Sequence, residues 1–304
     1  MSGNHFPIAL CYIQKEGDVM SWLEDIVTSI KYMENNITEE LTLEKVAAEV
    51  NLSPFYFHRG FSILCGVTVS EYIRNRRLSL AGRDLQTDGC KVIDVAMKYG
   101  YDSPDSFTKA FTRFHGITPA QAKSGEGELN YFLPLKIHLS MKGGFEMEFK
   151  IVKKPAFTVI GCSKNIKNEE GYKECPQFWT DHFEKGKGKY VCGTYGICLE
   201  DGAPEGSFKY MIADDYVPSK ELPEEFETVV IPENTWAVFP CRGPMPEALQ
   251  KVNGQIFSEW LPENSDYDIA GMYNIEYYTC LKDYPKGNQD ENYYSEIWIP
   301  VKAK

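Results

Sequence analysis

The sequence lacks any segment able to cross a membrane: the longest apolar run near its start, Phe6 to Ile13, falls far short of the roughly 20 residues a spanning helix needs. No basic stretch precedes that run, as a secretory signal requires, so a cytoplasmic protein is expected. Close cysteine pairs are missing too. The nine cysteines (11, 65, 90, 162, 175, 192, 198, 241 and 280) form an odd set without the short spacings of a zinc knuckle, so reduced, mostly buried thiols and no metal are expected. The five histidines (5, 58, 115, 138 and 182) are scattered. There is no Ser/His/Asp constellation and no phosphate-binding glycine loop, which speaks against an enzyme and against a bound cofactor.

Basic charge is scarce as well. The net charge is −12, the wrong sign for a DNA binder taken as a whole. The deficit is uneven, however: residues 21–124 carry 12 Lys/Arg against 13 Asp/Glu, whereas residues 125–304 carry 19 against 29. DNA contact depends on a local basic face, not on the whole-protein sum. Arg59, Arg74, Arg76, Arg77, Lys109 and Arg113 are available for such a face. At 304 residues, with 43% hydrophobic and 25% charged, the chain is globular and long enough for two domains.

What the first part contains is a repeat. Ser53-Pro54-Phe55-Tyr56-Phe57-His58-Arg59-Gly60-Phe61 is echoed 50 positions later by Ser103-Pro104-Asp105-Ser106-Phe107-Thr108-Lys109-Ala110-Phe111, and Gly66-Val67-Thr68 by Gly116-Ile117-Thr118. In the first copy Leu43, Val46, Ala47 and Val50 form the apolar stripe of a short helix capped by Thr42. Asn51 ends it, and Ser53-Pro54 starts another with a capping hydroxyl and a first-turn proline. The second copy runs from Val92 to Tyr99, turns at Gly100 and restarts at Ser103-Pro104. Phe57, Phe61 and Leu64 in one copy, and Phe107, Phe111 and Phe114 in the other, are expected in the core. That leaves Phe55, His58 and Arg59, and Asp105, Thr108, Lys109 and Arg113, for the outer faces, where a helix-turn-helix reads base edges. Between the copies, Val69 to Leu85 predicts a helix of about 25 Å. It suits two readers on successive major-groove faces about 34 Å apart.

Residues 21–123 resemble the DNA-binding domain of the AraC/XylS family of bacterial transcription regulators. The likeness is carried by both copies, by the connector Arg76-Arg77-Leu78, Ala81 and Leu85, and by Phe111, Phe114-His115-Gly116-Ile117-Thr118-Pro119. It implies base-facing roles for Phe55, His58 and Arg59 in the first unit and for Pro104, Asp105, Thr108 and Lys109 in the second. Pro104 and Asp105 depart from the family's amide chemistry. Asp105 either accepts from a cytosine amino group or answers the positive end of its helix.

Beyond Ser124-Gly125-Glu126-Gly127 the periodicity becomes strand-like at Glu146–Val152, Thr158–Cys162, Tyr190–Cys198, Tyr210–Asp214, Thr228–Pro232, Thr235–Pro240, Asn274–Cys280 and Glu296–Val301, with helices near Gln177–Glu184 and Pro246–Trp260. Residues 151–160 parallel residues 230–239. This half resembles the GyrI-like effector-binding domain found behind the DNA-binding domain in the Rob-type branch of the AraC family and in drug-sensing regulators. Phe208-Lys209-Tyr210, Trp236 to Phe239, Glu259-Trp260-Leu261, Ile275 to Tyr278 and Glu296 to Val301 carry the likeness. It implies that Glu276 sits at the floor of an aromatic cavity, with Trp179, Tyr210, Trp236, Phe239 and Tyr278 offering ring faces to a small lipophilic or cationic effector. On alternation alone, Glu276 and Tyr278 share one face and Tyr277 the other. The alternative is an edge-strand surface charge.

The expected fold is an all-α domain with two helix-turn-helix units on a connector helix, followed by an α+β domain built from a duplicated strand-helix-strand-strand unit. The expected boundaries are a mobile extension at 1–20, with Met1 and Met20 both open as the start, a DNA-binding domain at 21–123, a linker at 124–144 and an effector domain at 145–304. The expected partners are double-stranded DNA, a small effector and RNA polymerase. Two competing readings remain: a hydrolase in which Glu276 activates water, and a protein-partner module without a small ligand.

Overall fold

The computed structural model describes residues 22–87, 89–136, 147–199, 202–204, 206–218, 223–263, 266–271 and 273–304. The extension expected at 1–20 and residues 137–144 of the expected linker lie outside them. The first half folds as α1 (Trp22–Asn35), α2 (Leu43–Glu49), α3 (Pro54–Cys65), α4 (Val69–Leu85), α5 (Val92–Lys98), α6 (Pro104–His115) and α7 (Pro119–Ser124). The local chemistry is that of the repeat. Thr42, Ser53 and Ser103 accept the backbone N–H groups of Lys45, Tyr56 and Ser106, capping α2, α3 and α6. Asn51 and Gly100 take the left-handed conformation between the paired helices, at φ 54° and 79°. Phe57 and Phe61, and Phe107 and Phe111, fill the two unit cores.

The connector α4 opens with a reciprocal cap between Thr68 and Glu71. Arg76 clamps α1 from it: its Nε and Nη2 donate to the two Glu34 carboxylate oxygens at 2.7 and 2.8 Å. Burial works the other way, yet this fork and the Tyr72 hydroxyl hold the Glu34 carboxyl below its ordinary range. Arg77 donates to the carbonyls of Ile37 and Glu39. Both arginines are therefore turned inward by carbonyl and carboxylate acceptors, which corrects their inclusion in a DNA-facing basic surface. Past α7 the chain runs back over the connector, with Asn130 N–H donating to His115 Nδ1 and Phe132 N–H to Ser79 Oγ.

The described residues of the second half form a nine-stranded antiparallel sheet of β1 (Lys150–Lys154), β2 (Phe157–Lys167), β3 (Tyr195–Leu199), β4 (Ser207–Asp215), β5 (Glu227–Ile231), β6 (Asn234–Arg242), β7 (Tyr267–Ile269), β8 (Tyr273–Tyr278) and β9 (Tyr294–Ala303). The strand order is β1-β6-β9-β8-β3-β4-β2-β5, with β7 beside β9. Two helices complete it: α8 (Gly171–Glu184), and α9 (Glu247–Gln255), which continues through a π-helical stretch at Ile256–Trp260 into the short α10 (Leu261–Glu263). With the short β7 set aside, the element order strand, strand, helix, strand, strand occurs twice, as the eight strand-like runs of the sequence are ordered and with one strand more per copy than the expected strand-helix-strand-strand unit. The leading strands are exchanged: β1 pairs with β6 and β5 with β2. The three-residue β7 was not foreseen, and α8 begins six residues before the expected Gln177, carrying Pro176 inside it.

The two halves share an apolar core. Trp22, Phe55, Tyr56, Phe57 and Phe61 belong to the same buried cluster as Ile166, Phe208, Tyr210, Phe239, Phe257 and Trp260. The π-helical stretch widens the helix where Phe257 meets Trp22 and Tyr56, ring centroids 6.0 and 6.5 Å apart. Gly60 on α3 permits this approach, because a Cβ there would collide with the Trp22 ring and come within 2.9 Å of Phe257. On the sheet's other face a separate cluster contains Tyr195, Ile197, Trp236, Val238, Ile275 and Trp298.

Candidate functional site

Strand alternation sorts β8 as the sequence implied. Tyr277 turns to the second cluster and stacks on Trp298, centroids 5.7 Å apart at 17°. Glu276 and Tyr278 turn the opposite way, into a cavity of about 800 Å³, a volume within the range of small-molecule sites. Glu276 Oε2 accepts two hydroxyl hydrogen bonds, from Tyr210 at 2.7 Å and from Tyr278 at 2.9 Å. Trp179 on α8 donates its indole N–H to the Tyr210 oxygen at 2.8 Å, and its ring meets Tyr278 edge-on, 5.2 Å between centroids. Burial, and then the Glu276 charge, push both tyrosines well above their ordinary proton affinity. They remain donors to the Glu276 carboxylate in a largely aromatic surround.

Two glycines that the sequence reading passed over make room for this cluster. Gly196 on β3 lies opposite Glu276 in register. A Cβ there would strike the Tyr210 hydroxyl and come within 2.8 Å of Glu276 Oε2. Gly193, at φ +85°, leaves space for the Trp179 ring. A glycine inside a strand pattern is a sequence signal of close approach, and at Gly196 it was available to be read.

Trp179, Tyr210, Glu276 and Tyr278 thus come together, and two other expected lining residues do not join them. Trp236 lies in the cluster on the opposite sheet face, because β6 alternation points it away from the side that Phe239 and Cys241 face. Phe239 is on the cavity's side of the sheet but packs against Phe149 and Trp260, centroids 5.8 and 4.9 Å away. It sits on β6, separated from β8 by β9, and is core.

The cavity's remaining wall comes from the other half of the molecule. Phe55, His58, Arg59 and Ser62 of α3 line it together with Cys175, Phe208, Leu249 and Asn253. Phe55 packs on Phe208, centroids 5.1 Å apart, and the Tyr56 hydroxyl donates to the Tyr273 carbonyl at 2.6 Å. Gly206 N–H donates to Glu44 of α2 at 2.9 Å. Phe55 and His58 are only 7% and 8% exposed, so the expectation that the outer face of α3 is open is corrected: Phe208 of β4 packs on it, with the turn at Asn168–Glu170 and the π-helical stretch at Ile256–Trp260 against the same helix. Burial lowers the His58 proton affinity against the pull of Glu169 and Glu71, which favours the neutral ring. On α6 the expectation stands differently. Pro104, Asp105 and Lys109 are exposed and Thr108 is half-buried.

Among the described residues no group of His, Cys, Asp and Glu is arranged to hold a metal ion. The eight described cysteines are free thiols. No described helix is long and apolar enough to cross a membrane.

Comparison with known proteins gives two family matches: an integron-associated effector binding protein model over residues 150–301 and a helix-turn-helix domain model over residues 46–124. The transcriptional activator AarP of Providencia stuartii is 33% identical over 133 residues, 44% of this chain and 96% of AarP. The regulatory protein SoxS of Salmonella typhimurium is 36% identical over 101 residues, 33% of this chain and 94% of SoxS. Among solved structures, SAV2435 bound to tetraphenylphosphonium aligns with a TM-score of 0.45 at 20% identity, covering 51% of this chain and 94% of that one. The chain belongs to the AraC-type helix-turn-helix transcription regulators, with a C-terminal effector-binding domain of the integron-associated, GyrI-like family.

Proposed function

We propose that this regulator works in the cytoplasm, and that its effector is a lipophilic organic cation held over Glu276. In this reading Trp179, Tyr210 and Tyr278 supply ring faces, and the effector's arrival changes how the bound protein meets RNA polymerase. The observation that carries the proposal is the Glu276 carboxylate, which accepts from the Tyr210 and Tyr278 hydroxyls inside an aromatic cavity. Glu276 is half-buried, and a carboxylate that has exchanged part of its water for aromatic rings and two neutral hydroxyls gains from a positively charged partner. A cation is that partner, with each ring contact adding about 0.5–2 kcal/mol. Base reading is assigned to Arg59 in the first unit and to Asp105, Thr108 and Lys109 in the second.

Calorimetry on the full chain tests the effector. Tetraphenylphosphonium should bind with one-to-one stoichiometry, the neutral triphenylphosphine oxide should bind much more weakly, and Glu276→Gln should weaken the cation at least tenfold, about 1.4 kcal/mol. Equal affinity for the cation in Glu276→Gln would end this reading. Benzoylcholine provides the enzymatic control, since it pairs the same charge with a hydrolysable ester. Release of benzoate by the parent but not by Glu276→Gln would move the assignment to a hydrolase.

A further inference from the structure

We infer that the outer face of α3 is a wall of the effector site as well as a DNA-reading surface, so that an effector in the cavity and DNA at the first reading unit exclude one another. The nature of the guest rests on the reading given above, whereas the exclusion rests on the packing alone. Phe55, His58, Arg59 and Ser62 line the same cavity as Glu276, Tyr210 and Tyr278. Phe55 and His58 are almost fully covered. A major groove about 12 Å wide takes a helix of about 10–12 Å and little else. A helix whose leading face already carries a sheet domain cannot enter it. The first unit reads DNA only after α3 leaves Phe208 and Tyr273.

The direction of control follows from linkage. A guest filling the cavity touches α3 only while α3 is docked, so its affinity for the docked arrangement exceeds its affinity for the released one. Binding then draws the population toward the docked arrangement. By reciprocity DNA weakens the guest by the same factor. The second unit is not masked, since Pro104, Asp105 and Lys109 remain exposed. The effector therefore shortens the protein's grip on DNA from two groove segments to one and does not abolish it.

The composite site also narrows the guest. Glu276 contributes a negative charge from the sheet, and Arg59 a positive one from α3, its guanidinium lying over the Phe55 ring at 5.7 Å from the centroid. The Cys175 thiol on α8 senses both: burial and then Glu276 push it up and Arg59 pulls it down, leaving it at about 12. An aromatic cation that also carries an acceptor group toward Arg59 would bridge the two halves and hold them together.

The test uses the full chain, tetraphenylphosphonium, and a duplex isolated by the full chain from a random-sequence pool. Saturating cation should weaken duplex binding at least fivefold, and saturating duplex should weaken the cation by the same factor. Phe208→Glu, which puts a charge against Phe55, should raise duplex affinity about tenfold and remove the coupling. Tyr56→Phe, which loses one hydroxyl and no packing, should move duplex affinity the same way by about threefold. Bound cation with unchanged duplex affinity would overturn the inference, and so would parent-like duplex binding by both interface variants. Failure of the cation to bind would sink the cationic-effector reading alone, leaving the two interface variants to decide the exclusion.

Discussion

Two copies of one sequence motif end in opposite circumstances. Both build a helix pair with a left-handed turn residue and a serine-capped second helix, and both bury two phenylalanines at the same positions of that helix. Yet α3 presents its leading face to another domain, and α6 presents its own to solvent. The difference lies in the residues between the core positions. The first copy has Phe55 and Tyr56 where the second has Asp105 and Ser106. Two rings at the start of a helix bury well against Phe208 and Phe257; an aspartate and a serine do not. Identical internal grammar fixes the unit, and the outward residues decide what it touches.

The most damaging way to probe this comparison is through the shared core. Phe57→Ala and Phe107→Ala each empty a site that is 0% exposed and should cost about 3–5 kcal/mol in denaturant unfolding. If docking adds to the first unit, Phe57→Ala will also release α3 and bring Arg59 into hydrogen-exchange or footprinting contact with DNA, whereas Phe107→Ala will not. Equal losses with no change in α3 protection would mean that the two units are energetically equivalent despite their surroundings.

Base reading is the next smaller effect. Lys109→Ala, on the exposed helix, should weaken duplex binding by about 1–3 kcal/mol in the parent protein. Arg59→Ala should cost about fivefold, near 1 kcal/mol, in the parent, where releasing α3 offsets part of its contacts, and up to about 3 kcal/mol in a Phe208→Glu background. The reverse ranking in the parent would show that α3 reads DNA while docked, and the asymmetry between the copies would lose its functional meaning.

The repeat was legible because it is local. Caps, turn residues and the phenylalanine stripe depend on spacing along a few residues, and α2 to α6 follow them closely. Glu276 and Tyr278 were legible for a similar reason, since strand alternation fixes sidedness. Alternation could not say which face of β6 looks into the cavity, and so Trp236 was misassigned. Nor did membership of the right face put Phe239 at the site, because distance across the sheet depends on strand order, which no local pattern carries. The covering of α3 was hidden for the same reason. Its partners, Phe208, Phe257 and Tyr273, lie about 150 to 220 positions away along the chain, and an aromatic at a helix start reads equally well as a base contact or a docking contact.

The weakest expected effect sharpens the comparison through pH. Asp25 lies in the first turn of α1, where a negative charge usually gains from the helix dipole. Here burial outweighs that gain, and with the charges of Glu24 and of Asp268 on the effector domain it lifts the carboxyl from 3.8 to about 7, against the opposing pull of Lys304. A carboxyl whose folded value is raised holds a proton that the unfolded or undocked state releases. Stability from this group is therefore full at low pH, declines as pH rises from about 4 to about 7, and is flat above. Asp25→Asn should remove that slope and raise the thermal midpoint at pH 8 by a few degrees, with little change at pH 4. Because Asp268 and Lys304 belong to the domain that covers α3, the same change should tighten docking at pH 8 and weaken duplex binding by the first unit, leaving the contribution of Lys109 untouched. A slope that persists in Asp25→Asn would remove this carboxyl from the interface and leave the aromatic contacts as the sole difference between the two copies.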